Sequence, residues 1–145
     1  MRLEEVNRTN IDAIINLKVK EEQKYYVAPN IRSLADAYVY RNDGVIPYAV
    51  INKDRVIGFI MFDNHESKES VCIIWRMMIG EQYQGNGYGR MLIELAKEHA
   101  IEKGYQYIMA DYIKDNLAVK NLLESSGFKE QGIDDYNQVI MIYKL

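Results

Sequence analysis

A chain of 145 residues, 48% of them apolar, has enough material for one buried core, so a single domain over residues 1–145 is expected. Charged residues make up 27% and the net charge is -3, which excludes the broad basic field that a nucleic acid would need and mildly favours a cationic partner. Cys72 is the only cysteine, so no internal disulfide can form and a reducing cytoplasm is the expected compartment. Residues Met1 to Asn10 carry Arg2, Glu4, Glu5 and Arg8 without an apolar run, which argues against a signal peptide. No stretch approaches the roughly 20 apolar residues that span a bilayer, so no membrane partner is expected.

Residues 1–6 read as a short strand. Thr9 or Asn10 then caps a helix whose apolar positions Ile11, Ile14, Ile15 and Val19 recur at helical spacing to about Lys24. Pro29 interrupts the pattern, Ser33 opens a second helix through Leu34, Ala37, Tyr38 and Arg41, and Asn42-Asp43-Gly44 ends it. The period then changes to that of strands: Ile46–Ile51 and Val56–Phe62 flank the hairpin turn Asn52-Lys53-Asp54-Arg55, and Val71–Ile79 follows the polar loop Asn64–Ser70. These three are expected to form an antiparallel meander. A helix with Met91, Leu92, Leu95, Ala96 and Ala100 along one face runs to Gly104. Tyr107–Tyr112 is the next strand, Asn116–Ser125 a short helix, Gly127-Phe128 a restart and Val139–Lys144 the last strand. This order predicts an α+β domain: a mixed, mainly antiparallel sheet of about six to seven strands with about four helices, one of them a crossover after the meander.

Between the strand ending at Ile79 and the following helix lies Gln82-Tyr83-Gln84-Gly85-Asn86-Gly87-Tyr88-Gly89-Arg90. Small residues there let backbone N–H groups approach an anion, and the helix N-terminus adds partial positive charge, so the turn suits a phosphate. It is not the dinucleotide fingerprint, because the third glycine of that pattern would fall on Arg90. Nor is it a P-loop, since the chain has no Gly-Lys-Ser or Gly-Lys-Thr triplet.

The segment instead resembles the GNAT N-acetyltransferase motif Gln/Arg-x-x-Gly-x-Gly/Ala, met by Gln82, Gly85 and Gly87. Ile74-Trp75-Arg76-Met77-Met78-Ile79 resembles the family's fourth strand, and Asn116-x-x-Val119-x-x-Leu122-Leu123-x-x-x-Gly127-Phe128 its C-terminal motif. The resemblance covers nearly the whole chain and implies acetyl-CoA as cosubstrate. It assigns the pantetheine arm to Met77, Met78 and Ile79, and the pyrophosphate to Gln82, Tyr83, Gln84, Gly85, Asn86, Gly87, Tyr88, Gly89 and Arg90. Asn116 is either a further pantetheine contact or simply a helix N-cap. Lys97, Lys114 and Lys120 are placed to approach the extra phosphate of CoA or to be solvated lysines.

Two departures concern the chemistry. The tyrosine that the family often uses to protonate the departing thiolate falls on Leu123, for which Tyr112 and Tyr136 are weak substitutes. The glutamate often found on the fourth strand is missing, which leaves Glu21, Glu22, Asp36, Asp63 and Asp111 as candidate bases, so the sequence assigns no catalytic residue firmly. Alternation along the strand puts Trp75 and Arg76 on opposite faces, with Arg76 at the acceptor cleft or in an edge ion pair. Cys72 reads as a small apolar strand residue rather than an acyl carrier, and two histidines, His65 and His99, are too few for a metal site.

The first two helices, their link Gln23–Asn30 and the stretch Ser33–Tyr38 resemble the spermine and spermidine acetyltransferase branch of the family. That implies a polyamine acceptor held by Glu21, Glu22, Tyr26, Asp36 and Arg76, against the bland alternative of two amphipathic helices with charged outer faces. Other acceptors, a protein N-terminus or an aminoglycoside, stay open. So does a CoA-binding module with little catalysis, which Leu123 and the acid-free strand would suit. Oligomeric state is not fixed by the sequence, and a homodimer is compatible with it.

Overall fold

The computed structural model describes residues 1–64 and 70–145; His65 lies outside them. Its strands are β1 (Arg2–Glu5), β2 (Ile46–Asn52), β3 (Arg55–Asp63), β4 (Val71–Ile79), β5 (Tyr107–Ile113), β6 (Lys129–Ile133) and β7 (Gln138–Lys144). The helices are α1 (Ile11–Asn16), α2 (Asn30–Val39), α3 (Tyr88–Glu102) and α4 (Leu117–Ser125). One seven-stranded sheet has the order β1-β2-β3-β4-β5-β7-β6, in which β4 and β5 run parallel and every other pair is antiparallel. A parallel pair needs a crossover, and α3 supplies it. The expected α+β architecture and the β2–β3–β4 meander are both present.

From Phe59 to Phe62, alternation along β3 divides the interior into two layers. Ile60 and Phe62 pack with Leu92, Ile93 and Ala96 of α3, Leu123 of α4 and Ile108 of β5. Phe59 and Met61 face the other way, into a smaller core with Ile14 of α1, Leu17, Ala37 of α2 and Met78. Apolar residues on both faces of a central strand are what a sheet covered by helices on both sides requires.

Both N-terminal helix boundaries differ from the sequence expectation, and tertiary bonds are the reason. Helix α1 stops at Asn16 instead of continuing to Lys24, because Leu17 turns extended and buries its side chain. The carbonyl of Lys18 then accepts the Glu81 amide at 2.8 Å, and only a separate 3-10 turn, Glu21–Gln23, follows. Helix α2 starts at Asn30, three residues before Ser33. Pro29 stands at its N-cap and its carbonyl accepts the amides of Arg32 and Ser33. Asn30 is buried there and donates its Nδ2 to the Ile14 carbonyl at 2.9 Å, tying α2 to α1. The restart at Gly127-Phe128 leads into β6, an edge strand whose residues are mostly exposed.

Candidate active site

Strands β4 and β5 begin side by side and then part. Their parallel register runs from Val71↔Tyr107 to Ile74↔Ala110 and stops there. β4 nevertheless stays paired with β3 to Ile79↔Gly58, and β5 with β7 to Ile113↔Gln138. The cause is a bulge: Phe62 pairs with Ile74 but its neighbour Met61 with Arg76, so Trp75 is an extra residue that bends β4 away. Beyond Ile74, backbone groups of β4 that point towards β5 have no strand to pair with, over a length of roughly 13 Å to Ile79.

The wedge so opened is a cleft of about 850 Å³. Trp75 to Ile79 of β4 and Met109 to Ile113 of β5 form its sides, and Asn116, Val119 and Leu122 at the start of α4 close one wall. Residues Gln23, Tyr26, Val27 and Ala28 of the α1–α2 link form the opposite wall. The Tyr26 hydroxyl reaches across to the Asp115 carbonyl at 3.4 Å, so the link arches over the mouth.

At the far end of β4 the glycine turn meets the cleft. Gly85 and Gly87 have φ of 79° and 78°, a left-handed backbone that favours glycine, and a β-carbon on either would meet no protein atom within 4 Å. Gly87 occupies the N-cap of α3 without a side-chain cap. The six successive amides from Gly85 to Arg90 have no hydrogen-bond acceptor among the described residues. The Asn86 side chain locks the turn by donating to the carbonyls of Tyr83 and Gln84 at 3.0 and 3.1 Å. Gln84 donates its Nε2 to the Ile79 carbonyl at 2.9 Å and exchanges amide bonds with Gln23, which joins the turn, β4 and the link. Such an array of unpaired donors at a helix N-terminus fits a pyrophosphate.

Of the residues singled out in the sequence, Met77, Met78, Ile79, Tyr83, Gln84, Gly85, Gly87, Tyr88, Gly89 and Asn116 reach the cleft wall, as do Tyr26 and Arg76. Gln82, Asn86 and Arg90 flank it; Arg90 donates to the Ser125 Oγ at 3.1 Å. Asn116 is an N-cap, its Oδ1 accepting the Val119 amide at 3.3 Å, and it lines the cleft as well. Glu21 and Glu22 stand exposed on the 3-10 turn, outside the wall, with Glu21 paired to Lys24.

Trp75 and Arg76 do not lie on opposite faces. The bulge breaks alternation, and the guanidinium carbon sits 4.8 Å from the centre of the indole ring. Arg76 Nη1 donates to Asp36 at 2.6 Å, while Arg32 Nε donates to both oxygens of the same carboxylate at 3.0 and 3.2 Å. Burial opposes the Asp36 charge, but the bonds from Arg76 and Arg32 outweigh it and hold this carboxyl below its ordinary range. Asp36 is therefore a buried anchor between α2 and β4 rather than a solvated charge.

Several other side chains have structural work. The Lys97 ammonium is buried, donates to the Ser126 carbonyl at 2.8 Å and to Glu94 at 3.0 Å, and lies 4.1 Å from the Tyr143 ring centre; it is not available to a phosphate. Cys72 is fully buried, and burial with the nearby Asp63 charge pushes its thiol up to about 12, which removes it as a nucleophile. His99 stacks on Phe62, and no group of three or more metal-ligating side chains occurs among the described residues. Leu123 is fully buried in the larger core, and Leu122 is the residue that faces the cleft. Tyr112 lines the cleft but is largely buried in that core, while Tyr136 is 85% exposed at the mouth.

Of the carboxylates in the wall, Asp63 and Asp111 were among the candidate bases and Asp134 was not singled out in the sequence. Asp111 is the first β5 residue beyond the last β4 partner, and Asp134 lies in the β6–β7 turn. Burial, and then the charge of Asp134, push the Asp111 carboxyl up to about 6. Asp111 is the only charged residue in the strand Tyr107–Ile113.

A family model described as Acetyltransferase (GNAT) family matches residues 11–128. Among curated proteins, the spermine/spermidine N(1)-acetyltransferase of Bacillus subtilis is 24% identical over an alignment of 155 positions covering 100% of this chain and 99% of that one. Among solved structures, an aminoglycoside acetyltransferase in complex with coenzyme A superposes with a TM-score of 0.81 at 16% identity, covering 99% of this chain and 94% of that chain. Spermidine N-acetyltransferase from Vibrio cholerae, in complex with CoA and spermine, gives 0.76 at 19% identity, covering 98% and 94%. No helix among the described residues is long and apolar enough to cross a membrane. With its match over most of the chain and a cleft of the kind described, the protein belongs to the acetyltransferase (GNAT) family and is an acyltransferase that uses acetyl-CoA.

Proposed function

We propose that the protein transfers the acetyl group of acetyl-CoA to a primary amine of a polyamine such as spermine or spermidine, by direct attack in a ternary complex. The observation that carries this reading is the opposite polarity of the two ends of the cleft. At the glycine turn the six free amides offer positive character to a pyrophosphate. Where β4 and β5 meet, the wall holds Asp63, Asp111 and Asp134, and Arg76, the one Lys or Arg among its described residues, is held by Asp36, which it shares with Arg32. An acceptor with several positive charges fits the acidic end, and the tyrosines at the mouth add aromatic faces for a cation. The curated spermine/spermidine relative supports the same choice.

In this scheme the pyrophosphate sits on the amides of Gly85–Arg90, and the pantetheine arm extends along the edge of β4 at Met77–Ile79 that β5 leaves open, as an added strand would. Asn116 borders the arm from the α4 side. The acceptor enters under the α1–α2 link beside Tyr26. Its ammonium, of pKa near ~10.4, loses a proton, and the neutral nitrogen forms a bond to the thioester carbon. Unpaired β4 amides stabilise the oxyanion as it forms. The C–S bond then breaks, and the second amine proton goes to the sulfur. A thiol pKa near ~8.5 makes this leaving group tolerable without a tyrosine at position 123.

The test is CoA release with spermidine, spermine, a monoamine, an aminoglycoside and a peptide N-terminus. The expected result is the highest kcat/KM for a polyamine, with a KM that rises more steeply with salt than for the monoamine. Preference for the aminoglycoside or peptide would move the acceptor assignment, and acetyl-CoA binding without turnover of any amine would make the protein a binding module.

A further inference from the structure

Transfer from an ammonium needs a proton acceptor where the thioester carbonyl and the amine meet, and β4 offers no acid for it. Asp111 follows directly after Ala110, the last β5 residue paired with β4, so it stands where the wedge opens. Alternation along β5 turns Ala110 and Tyr112 into the larger core and Asp111 away from it, to the sheet face shared with Met61, Arg76 and α2. That is the face from which the link admits the acceptor. Asp134 arrives from the β6–β7 turn, where its Oδ1 accepts the amides of Tyr136 and Gln138, both at 2.8 Å. Its position is fixed by those two bonds.

We propose that Asp111 takes the proton from the acceptor ammonium, and that Asp134, which the β6–β7 turn fixes in the same wall, is a positioning residue acting through it. The assignment rests on the amine-acetyltransferase reading above. In the step, the N–H electron pair stays on nitrogen as the proton moves to the Asp111 carboxylate, and the free pair then attacks the thioester carbon. The collapsing intermediate passes its second proton to sulfur, and Asp111, which is partly exposed, returns the first to water. A carboxyl raised to about 6 is a stronger base than an ordinary one and is still ionised at neutral pH. The other titratable or charged groups facing the cleft are Asp63 of β3, Arg76 of β4, Tyr26 of the link, Tyr83 and Tyr88 of the glycine turn and the start of α3, Tyr112 of β5 and Tyr136 of the β6–β7 turn. Arg76 is engaged by Asp36 together with Arg32, and Asp134 is the group whose charge bears on Asp111.

The experiment is kcat/KM for spermidine from pH 5 to 9, with acetyl-CoA affinity by calorimetry alongside. Wild type is expected to lose activity below a midpoint near about 6 and to be flat from pH 7 to 9. Asp111→Asn should fall at least about a hundredfold at pH 7, keep its acetyl-CoA Kd, and climb about tenfold per pH unit as free amine becomes available. Asp134→Asn keeps an acceptor oxygen for the turn, so it should remain folded and move the acid midpoint to lower pH. An Asp111→Asn variant within threefold of wild type would overturn the role, as would an acid midpoint that survives it. Loss of activity in Asp63→Asn with Asp111→Asn unaffected would overturn it too. Those results would leave the acetyltransferase reading standing, whereas a wild type that turns over no amine would overturn both.

Discussion

Replacing Asp111 by asparagine should make the folded protein more stable at neutral pH, whatever it does to catalysis. The carboxyl is held in the cleft wall with its ionisation opposed by burial and by Asp134, so its folded value is about 6, against an ordinary aspartate value near ~3.9. Both states hold the proton below about pH 4, and wild type then has its full stability. As pH rises through about 6 the folded state must ionise in place, and stability falls by at most about 3 kcal/mol for a shift of this size. Asparagine has no proton to lose. The difference between variant and wild type should therefore be small at pH 4 and reach about 5 to 10 °C in Tm at pH 8, for a domain of this length. Differential scanning calorimetry at pH 4, 6 and 8 measures it. Equal Tm values at pH 8, or a variant advantage that is largest at pH 4, would refute a raised Asp111 carboxyl.

Three further substitutions probe the framework. Gly87→Val imposes a β-branched residue on a left-handed backbone facing the free amides, so the acetyl-CoA Kd should rise at least about tenfold by calorimetry, with Tm lowered but folding kept. Lys97→Met leaves the Ser126 carbonyl without its ammonium donor and should cost about 1 to 3 kcal/mol in urea unfolding, with no change in acetyl-CoA Kd. Arg76→Met removes one of two guanidiniums from Asp36, whose depressed carboxyl stabilises above its ordinary range and loses that contribution as pH falls. The variant should lose about 1 to 3 kcal/mol at pH 7 and show a smaller further loss on acidification than wild type.

Local chemistry was legible in the sequence where local chemistry decides the structure. Three alternating glycines between a β-rich run and an apolar helical stripe gave the turn between β4 and α3, and the strand periods gave the meander. What escaped depends on partners distant in the chain. The Trp75 bulge is a mismatch between β3 and β4, so no reading of β4 alone could reveal that Arg76 and Trp75 share a face. Helix α1 ends early because Lys18 bonds Glu81, more than sixty positions on. Glu21 and Glu22 looked like acceptor contacts as acids near tyrosines, yet once the helix stops at Asn16 the 3-10 turn leaves them in solvent. Asp111 and Asp134 come together only because β5 pairs with β7 and the β6–β7 turn folds back on the cleft.

The central claim is that acetyl-CoA and a polyamine occupy the two ends of one cleft together and react directly. Initial rates of CoA release over a grid of acetyl-CoA and spermidine concentrations test it. The double-reciprocal lines should intersect, as a ternary complex requires. Parallel lines, the mark of an acetylated enzyme between two half-reactions, would contradict the account, and so would the absence of any spermidine-dependent rate.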